Sequence, residues 1–256
     1  PLSLILTRSV AISRFDQDVC QARLMSEPAE RDPKALIQAG LKKALTAQYP
    51  VAQSTVARLR RVHPDKTPTE MVAHLNAYYL NTVTVTGAGT GAAAIVPNFA
   101  VQLPVTLVDL LTFLEASVLY ALTVAEVYGV DLEDHERRQL LVTAVLVGDS
   151  TATSVLRPLL GRTVPHWGKR IVKAIPMSVV NAANNVLGPR FITKWGTKQG
   201  VLVLGKQIPL AIGVVVGAGG NRTFAWLTTK AARKILGPPP AEWPNEDEAA
   251  SDGSES

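Results

Sequence analysis

Residues 82–108 read TVTVTGAGTGAAAIVPNFAVQLPVTLV and contain no charged side chain. As a single helix this stretch would be about 40 Å long, whereas the hydrocarbon core of a bilayer is about 30 Å thick. Pro97 and Pro104 oppose a continuous helix because proline has no N–H to donate to the preceding turn. The stretch therefore predicts two apolar helices separated by a break, that is, a helical hairpin.

A second apolar stretch, residues 201–220, reads VLVLGKQIPLAIGVVVGAGG and carries Lys206 as its single charge. Each stretch contains two glycines four residues apart, and such glycines share one helix face and allow close approach of a second backbone. The predicted helix-packing residues are Gly87, Gly91, Gly213 and Gly217. The fold class that follows is an all-α, multi-helix domain with two glycine-rich apolar helical hairpins and no substantial sheet. Alternatively, both stretches are buried core helices of a soluble domain.

The composition limits the class of protein. The chain has 256 residues, of which 47% are hydrophobic and 18% charged, compared with about 25% charged in an average soluble domain. Wholesale disorder, a coiled coil and a collagen-like fibre are excluded. Cys20 is the single cysteine, which excludes an internal disulfide and a zinc site built on several thiolates.

Local signals predict where several helices begin and end. Residues 33–61 have a helical pattern with a break at Pro50. Thr67 and Glu70 form a capping-box pattern around Pro68, which predicts the start of the next helix.

Two glycines predict helix ends further along the chain. Gly129 ends the apolar helix that begins at Asp109. The segment 131–134 (DLED) then places acidic residues at the start of another helix, which ends at Gly148. The alternative for the acidic cluster, a metal site that includes His135, is disfavoured against this capping role.

Charge is divided unevenly along the chain. Residues 150–236 contain 13 Lys or Arg and no acid, whereas residues 237–256 contain six acids and no base. A segment without carboxylates cannot neutralise itself, so it attracts anions such as nucleic acid or an anionic membrane leaflet. Apolar runs interleave the bases and aromatic residues are few, which favours a membrane over nucleic acid.

Ten basic residues are the predicted lipid-binding residues: Arg162, Lys169, Arg170, Lys173, Arg190, Lys194, Lys198, Lys230, Arg233 and Lys234. The expected domains are a disordered upstream extension over residues 1–24, one helical domain over 25–236 and a disordered acidic tail over 237–256. No metal, cofactor or catalytic residue is predicted, because no HExxH, GxSxG or Walker-type pattern occurs.

Two motifs support rival functions. Residues 85–92, VTGAGTGA, are similar to a dinucleotide-binding turn, which would make the protein a soluble oxidoreductase with a strand at residues 82–86. His63, Pro64 and Asp65 resemble the HPD loop of J-domain co-chaperones, which lies between two antiparallel helices. A turn between two helices is the simpler explanation of the second motif.

The order of motifs resembles the EcsC family. The residues that carry the resemblance are a Thr-Gly-rich segment, then Pro104, Asp109, Ala125, Tyr128, Gly129 and Asp131, followed near the C-terminus by Ile208, Pro209, Gly213, Gly217, Asn221 and the bases at 230–234. The similarity covers roughly residues 33–236. It implies a bacterial, membrane-associated protein without assigned catalytic residues, since the family has no established activity.

The function expected from sequence is therefore association with the cytoplasmic face of a bacterial cell membrane, either peripheral or by partial insertion. Glycine-rich apolar helices and the basic surface would supply the contacts. Anionic lipids are the expected partners, and a membrane protein such as an ABC transporter is a further candidate. Enzymatic activity is not expected from any pattern in the chain.

Overall fold

The structure is a computed structural model that describes residues 33–93, 99–160, 175–206 and 210–243. Seven α-helices and no β-strand occupy these residues, which confirms the all-α prediction. The helices are α1 (Pro33–Val62), α2 (Pro68–Ala93), α3 (Phe99–Val127), α4 (His135–Val147), α5 (Ser150–Leu160), α6 (Met177–Lys206) and α7 (Leu210–Leu236).

The two predicted hairpins are present as the pairs α2–α3 and α6–α7. The members of each pair pack against each other, and α2 also packs extensively against α7. The hairpins therefore lie side by side, with α1 covering α3 and α6 covering α4. The breaks at residues 94–98 and 207–209 lie outside the described residues.

Helix α1 continues through Pro50, so the predicted break at this residue is wrong. Proline inside a helix costs about 3 kcal/mol because one hydrogen bond is lost. Buried residues lie on both sides of Pro50, among them Leu45 and Val56, and α1 packs along α3. Burial of the two halves offsets the local cost, since each fully buried aliphatic side chain contributes about 1.5–3 kcal/mol.

The predicted helix boundaries are confirmed at two positions. The backbone N–H of Thr67 donates to Glu70 Oε2 at 2.9 Å, and the N–H of Glu70 donates to Thr67 Oγ1 at 3.3 Å, which is the capping box at the start of α2. Gly129 adopts φ 68°, a left-handed conformation that follows the end of α3. Local sequence chemistry fixes both boundaries.

The interface between α2 and α3 buries hydroxyl groups along with aliphatic side chains. The rings of Tyr79 and Tyr120 stack with centroids 4.4 Å apart. The hydroxyls of Tyr79 and Ser117 are hydrogen-bonded at 2.7 Å, and Tyr120 donates to Asn76 Oδ1 at 2.6 Å. Burial raises the pKa of both tyrosines, so they stay neutral at physiological pH.

Residues 237–243, the first part of the segment expected to be disordered, lie against the helices. The Tyr128 hydroxyl donates to Gly237 O at 2.8 Å, and Trp243 Nε1 donates to Lys66 O at 2.9 Å. The Arg60 guanidinium lies 4.7 Å from the Trp243 ring centroid. The packed part of the chain therefore extends at least to Trp243, and residues 1–32 and 244–256 are outside the described residues.

Candidate functional site

A cavity of about 210 Å³ lies where the C-terminal end of α4 meets α6 and α7. Its wall is largely apolar, and three lysines reach it from two different helices. The lining residues are Phe113, Val145, Leu146, Val147, Gly148, Asp149, Lys194, Trp195, Phe224, Leu227, Thr228, Lys230, Ala231 and Lys234. We refer to this site as the lysine cavity.

Lys194 is bonded to the end of α4. Its Nζ donates to Leu146 O at 3.1 Å and also to Val147 O. The last carbonyls of a helix have no partner within the helix and carry its partial negative charge, so a cation is favourable there. Burial lowers the pKa of Lys194, although the nearby Asp149 carboxylate opposes this effect.

Gly148 allows α4 to end at the cavity wall. It adopts φ 58°, and its N–H donates to Ala144 O at 2.8 Å. A Cβ placed on this residue would lie 2.7 Å from the Cβ of Ala231 on α7. Both the left-handed backbone and the close approach of α7 therefore require glycine, and the predicted end of this helix is confirmed.

Asp149 is the acidic residue among those that line the cavity, and its carboxylate is already hydrogen-bonded to other groups of the protein. Its Oδ1 accepts the N–H of Ala152 at 3.0 Å, capping α5, and its Oδ2 accepts Arg190 Nε at 3.3 Å. Partial burial alone would raise the pKa of Asp149, but these hydrogen bonds and the Arg190 charge outweigh it and lower the pKa. The positive charge of the three lysines is thus left in excess.

The exposed side of α7 places apolar and basic side chains together. Trp226 is 46% exposed and Leu227 is 45% exposed. The Lys230 Nζ lies 4.1 Å from the Trp226 ring centroid, which is a cation–π contact. Lys234 follows Lys230 by one turn and lines the same cavity. We call Trp226, Leu227, Lys230 and Lys234 the α7 face.

The structure brings together three of the ten predicted lipid-binding residues, namely Lys194, Lys230 and Lys234. Arg190 lies beside them through Asp149, whereas Arg233 lines a separate cavity with Tyr128. The remaining five predictions concern side chains outside the described residues: Arg162, Lys169, Arg170, Lys173 and Lys198.

Trp226 and Leu227 were missed by reasoning from charge. Their signal was available in the sequence, because they precede Lys230 by four and three residues and so share its face of a helix. The cavity wall, in contrast, combines Phe113 of α3 with Trp195 of α6, whose rings lie 5.6 Å apart. Contacts between residues this distant in the chain have no local sequence signal.

The four predicted packing glycines lie within two helices that pack against each other. Gly87 and Gly91 belong to α2, and Gly213 and Gly217 belong to α7. The contacts made at these four positions are outside the described residues. Their role in close helix packing therefore stays a prediction.

Residues 85–92 do not form the local structure that the dinucleotide-binding interpretation requires. That site requires a strand followed by a glycine turn at the start of a new helix. Residues 82–93 are instead the last turns of α2, so neither the strand nor the turn forms. A helical glycine run of this kind exposes no row of backbone N–H groups to a pyrophosphate, because these groups bond within the helix.

The HPD tripeptide lies in the turn between α1 and α2. The flanking helices do not pair as a hairpin, since α1 packs mainly on α3 and α2 mainly on α7. The His63 and His74 rings are 5.8 Å apart, and Trp243 packs beside the turn. This arrangement differs from the antiparallel helix pair that the co-chaperone interpretation needs.

The acidic cluster begins α4, as its capping role predicts. Asp134 is the N-cap residue, and its Oδ1 accepts the N–H of Arg137 at 3.0 Å. Asp131 Oδ1 accepts the N–H of Glu133 at 3.1 Å in the preceding turn. These hydrogen bonds account for the acids by local backbone chemistry.

Among the described residues, one window, Leu110–Val127 of α3, is long and apolar enough to cross a membrane. Of this window, 67% is buried within the protein. A central helix of a soluble bundle has the same properties, so the window is weak evidence for a span.

Comparison with known proteins gives no match: no family model, no curated protein and no solved structure is similar to this chain.

Proposed function

We propose that this protein attaches peripherally to an anionic membrane surface through the α7 face. The observation that carries the proposal is the placement of exposed Trp226 and Leu227 beside Lys230 and Lys234 on one side of α7. Tryptophan favours the membrane–water interface because its ring is apolar and its indole N–H is polar.

The charge of the α7 face favours the same contact with an anionic membrane. A lysine near an anionic surface contributes about 1 kcal/mol of attraction, and burying one apolar side chain contributes about 1.5–3 kcal/mol. Because Trp226 and Leu227 are already about half buried, contact with lipid adds roughly half of this burial energy for each of them. With the attraction of the two lysines, this sum suits weak, reversible attachment. The mostly buried α3 window favours attachment at the surface over insertion of that helix.

The sequence resemblance to the EcsC family is in keeping with this proposal. The resemblance implies attachment at the cytoplasmic face of a bacterial membrane. The charge pattern separately predicts further lipid-binding residues whose side chains lie outside the described residues: Arg162, Lys169, Arg170, Lys173 and Lys198. A membrane protein such as an ABC transporter is a further partner under the same proposal. The chain's excess of bases over residues 150–236 favours an anionic lipid in either case.

Co-sedimentation with vesicles tests the proposal. We expect the protein to sediment with phosphatidylglycerol vesicles and not with phosphatidylcholine vesicles, and to be released as salt is raised, because salt screens exposed charges. The double variant Trp226→Ala/Leu227→Ala should weaken binding by about tenfold or more, since part of the burial energy of two large side chains is lost.

Val62→Ala is the matched control, because Val62 is an exposed apolar residue (59%) at the end of α1, a different helix from α7. It should leave vesicle binding unchanged. Equal sedimentation of the wild type with both lipids, or unchanged binding of the double variant, would contradict the proposal.

A further inference from the structure

We infer that the lysine cavity binds a single acyl chain that carries an anionic head, with the chain against the aromatic wall and the head between Lys194, Lys230 and Lys234. This inference rests on the proposed function, because it names the ligand class that the same region of the protein takes from a membrane.

The size of the cavity fits part of an acyl chain. Its volume is about 210 Å³, and an engineered apolar cavity of about 150 Å³ is large enough to bind benzene. The inner wall is formed by Phe113 and Trp195, both almost fully buried, and by Phe224. A wall of this kind favours methylene groups over polar groups.

The charges at the cavity fit an anion. Three lysine residues line it, and Asp149, which lines it as well, has its carboxylate held by Arg190 and by the α5 backbone. Two N–H donors of Lys194 are used by the carbonyls of Leu146 and Val147. An ammonium group has three donors, so one donor of Lys194 is not used by the residues that the structure describes and is available to a carboxylate or phosphate oxygen.

The exposed lysines complete the head site. Lys230 and Lys234 are solvent-exposed residues on the turn of α7 that lines the cavity. Leu227 lines the cavity as well and belongs to the α7 face, so the site is continuous with the surface proposed to contact lipid. A chain could therefore pass from a membrane into the cavity without crossing the protein interior.

Titration calorimetry without vesicles tests the inference directly. The probes are octanoate, decanoate, decanol and decyltrimethylammonium, each used below the concentration at which it forms micelles. Decanoate should bind more tightly than octanoate. The affinity should rise about fourfold for each added methylene, as expected when a methylene moves from water into an apolar site. Decanol should bind at least tenfold more weakly, and the cationic probe should not bind.

The variants separate the head site from general charge. Lys230→Gln/Lys234→Gln should weaken decanoate binding by about tenfold or more while leaving decanol binding unchanged. Arg233→Gln is the matched control, because Arg233 is an exposed base on the same helix but lines a different cavity. Both residues of the double variant are exposed, so the fold should be preserved.

The outcomes distinguish this inference from the proposed function. Absence of decanoate binding, equal binding of the three ten-carbon probes, or equal effects of the Lys230/Lys234 and Arg233 variants would overturn the inference, even if the protein sediments with anionic vesicles. Decanoate binding without vesicle sedimentation would overturn membrane attachment and leave the acyl-chain site in place.

Discussion

The two ends of α4 each hold a cation against backbone carbonyls, but they use it differently. At the start, the buried Arg138 guanidinium donates through Nε to Leu132 O at 2.9 Å, through Nη1 to Leu45 O at 3.0 Å and through Nη2 to Glu133 O at 2.9 Å. The guanidinium carbon lies over the Tyr49 ring, 4.1 Å from the ring centroid. All three nitrogens of Arg138 are thus engaged within the protein.

At the other end, Lys194 reaches across from α6 to carbonyls of the last turn of α4 and stands at a cavity. Lys194 is less buried than Arg138, and the described part of the chain uses two of its three ammonium donors, which leaves one for a ligand. The difference shows how to tell a structural cation from a binding one: the first has its donors consumed by the chain, and the second keeps both an unused donor and space beside it.

The largest effect is expected when the structural cation is removed. Arg138→Met keeps much of the apolar stem of the side chain but takes the donor from three carbonyls at once. Each buried polar group left without a partner costs about 1–3 kcal/mol, so we expect a loss of about 3 kcal/mol or more in the free energy of unfolding, measured by urea denaturation.

Arg61→Met is the control for this change, because Arg61 is exposed and, within the described part of the chain, bonds to Ala57 O of its own helix. We expect an effect below about 0.5 kcal/mol for this variant. If the two arginine variants had similar stability, the buried carbonyl contacts of Arg138 would not be essential to the fold.

A smaller effect is expected at the glycine that ends α4. Gly148→Ala places a side chain in a left-handed conformation, which costs about 1–2 kcal/mol, and sets its Cβ against Ala231. We expect a total loss of about 2 kcal/mol, together with weaker decanoate binding, because α7 must move at the cavity wall. Urea denaturation and calorimetry measure the two effects.

Gly188→Ala in α6 provides the comparison, since nothing lies within 4 Å of a Cβ at that position. Its expected change is below about 0.5 kcal/mol, because the better helix propensity of alanine is opposed by Pro189, which disfavours a helical residue before it. A Gly148→Ala protein as stable as Gly188→Ala would show that α7 tolerates displacement from the end of α4.

The sequence predicts those features that neighbouring residues determine. The Thr67–Glu70 capping box and the Gly148 helix end depend on residues within one turn, and both are confirmed. The two hairpins follow from apolar stretches, one without charge and one with Lys206 alone, that contain proline. The Pro50 break is wrong, because contacts between α1 and α3 outweigh a local preference.

The candidate site depends mostly on contacts between distant residues. The sequence identifies Lys194, Lys230 and Lys234 as basic, but it does not show that α6 and α7 bring them to the end of α4. Nor does it show that Asp149 is paired with Arg190 across 41 positions of chain. Packing decides which bases gather around a cavity and which, such as Arg233, lie elsewhere.

The response to alkaline pH gives the smallest and most selective test of the two cations. An arginine does not lose its proton in proteins, whereas burial lowers the pKa of Lys194 below its ordinary value of 10.5. Between the lowered pKa and 10.5, the unfolded chain holds more protons on this lysine than the native protein does. Stability contributed by Lys194 should therefore rise as pH increases through that interval.

The measurement compares urea midpoints of the wild type, Lys194→Met and Arg138→Met from about pH 8 to about pH 10. This range ends where buried tyrosines such as Tyr79, with raised pKa values, begin to favour the unfolded state. The stability difference between wild type and Lys194→Met should grow with pH, while that for Arg138→Met should stay constant. A constant difference for both variants would mean that the Lys194 ammonium group is hydrated like a surface lysine, and the contrast between the two ends of α4 would then lie in geometry alone.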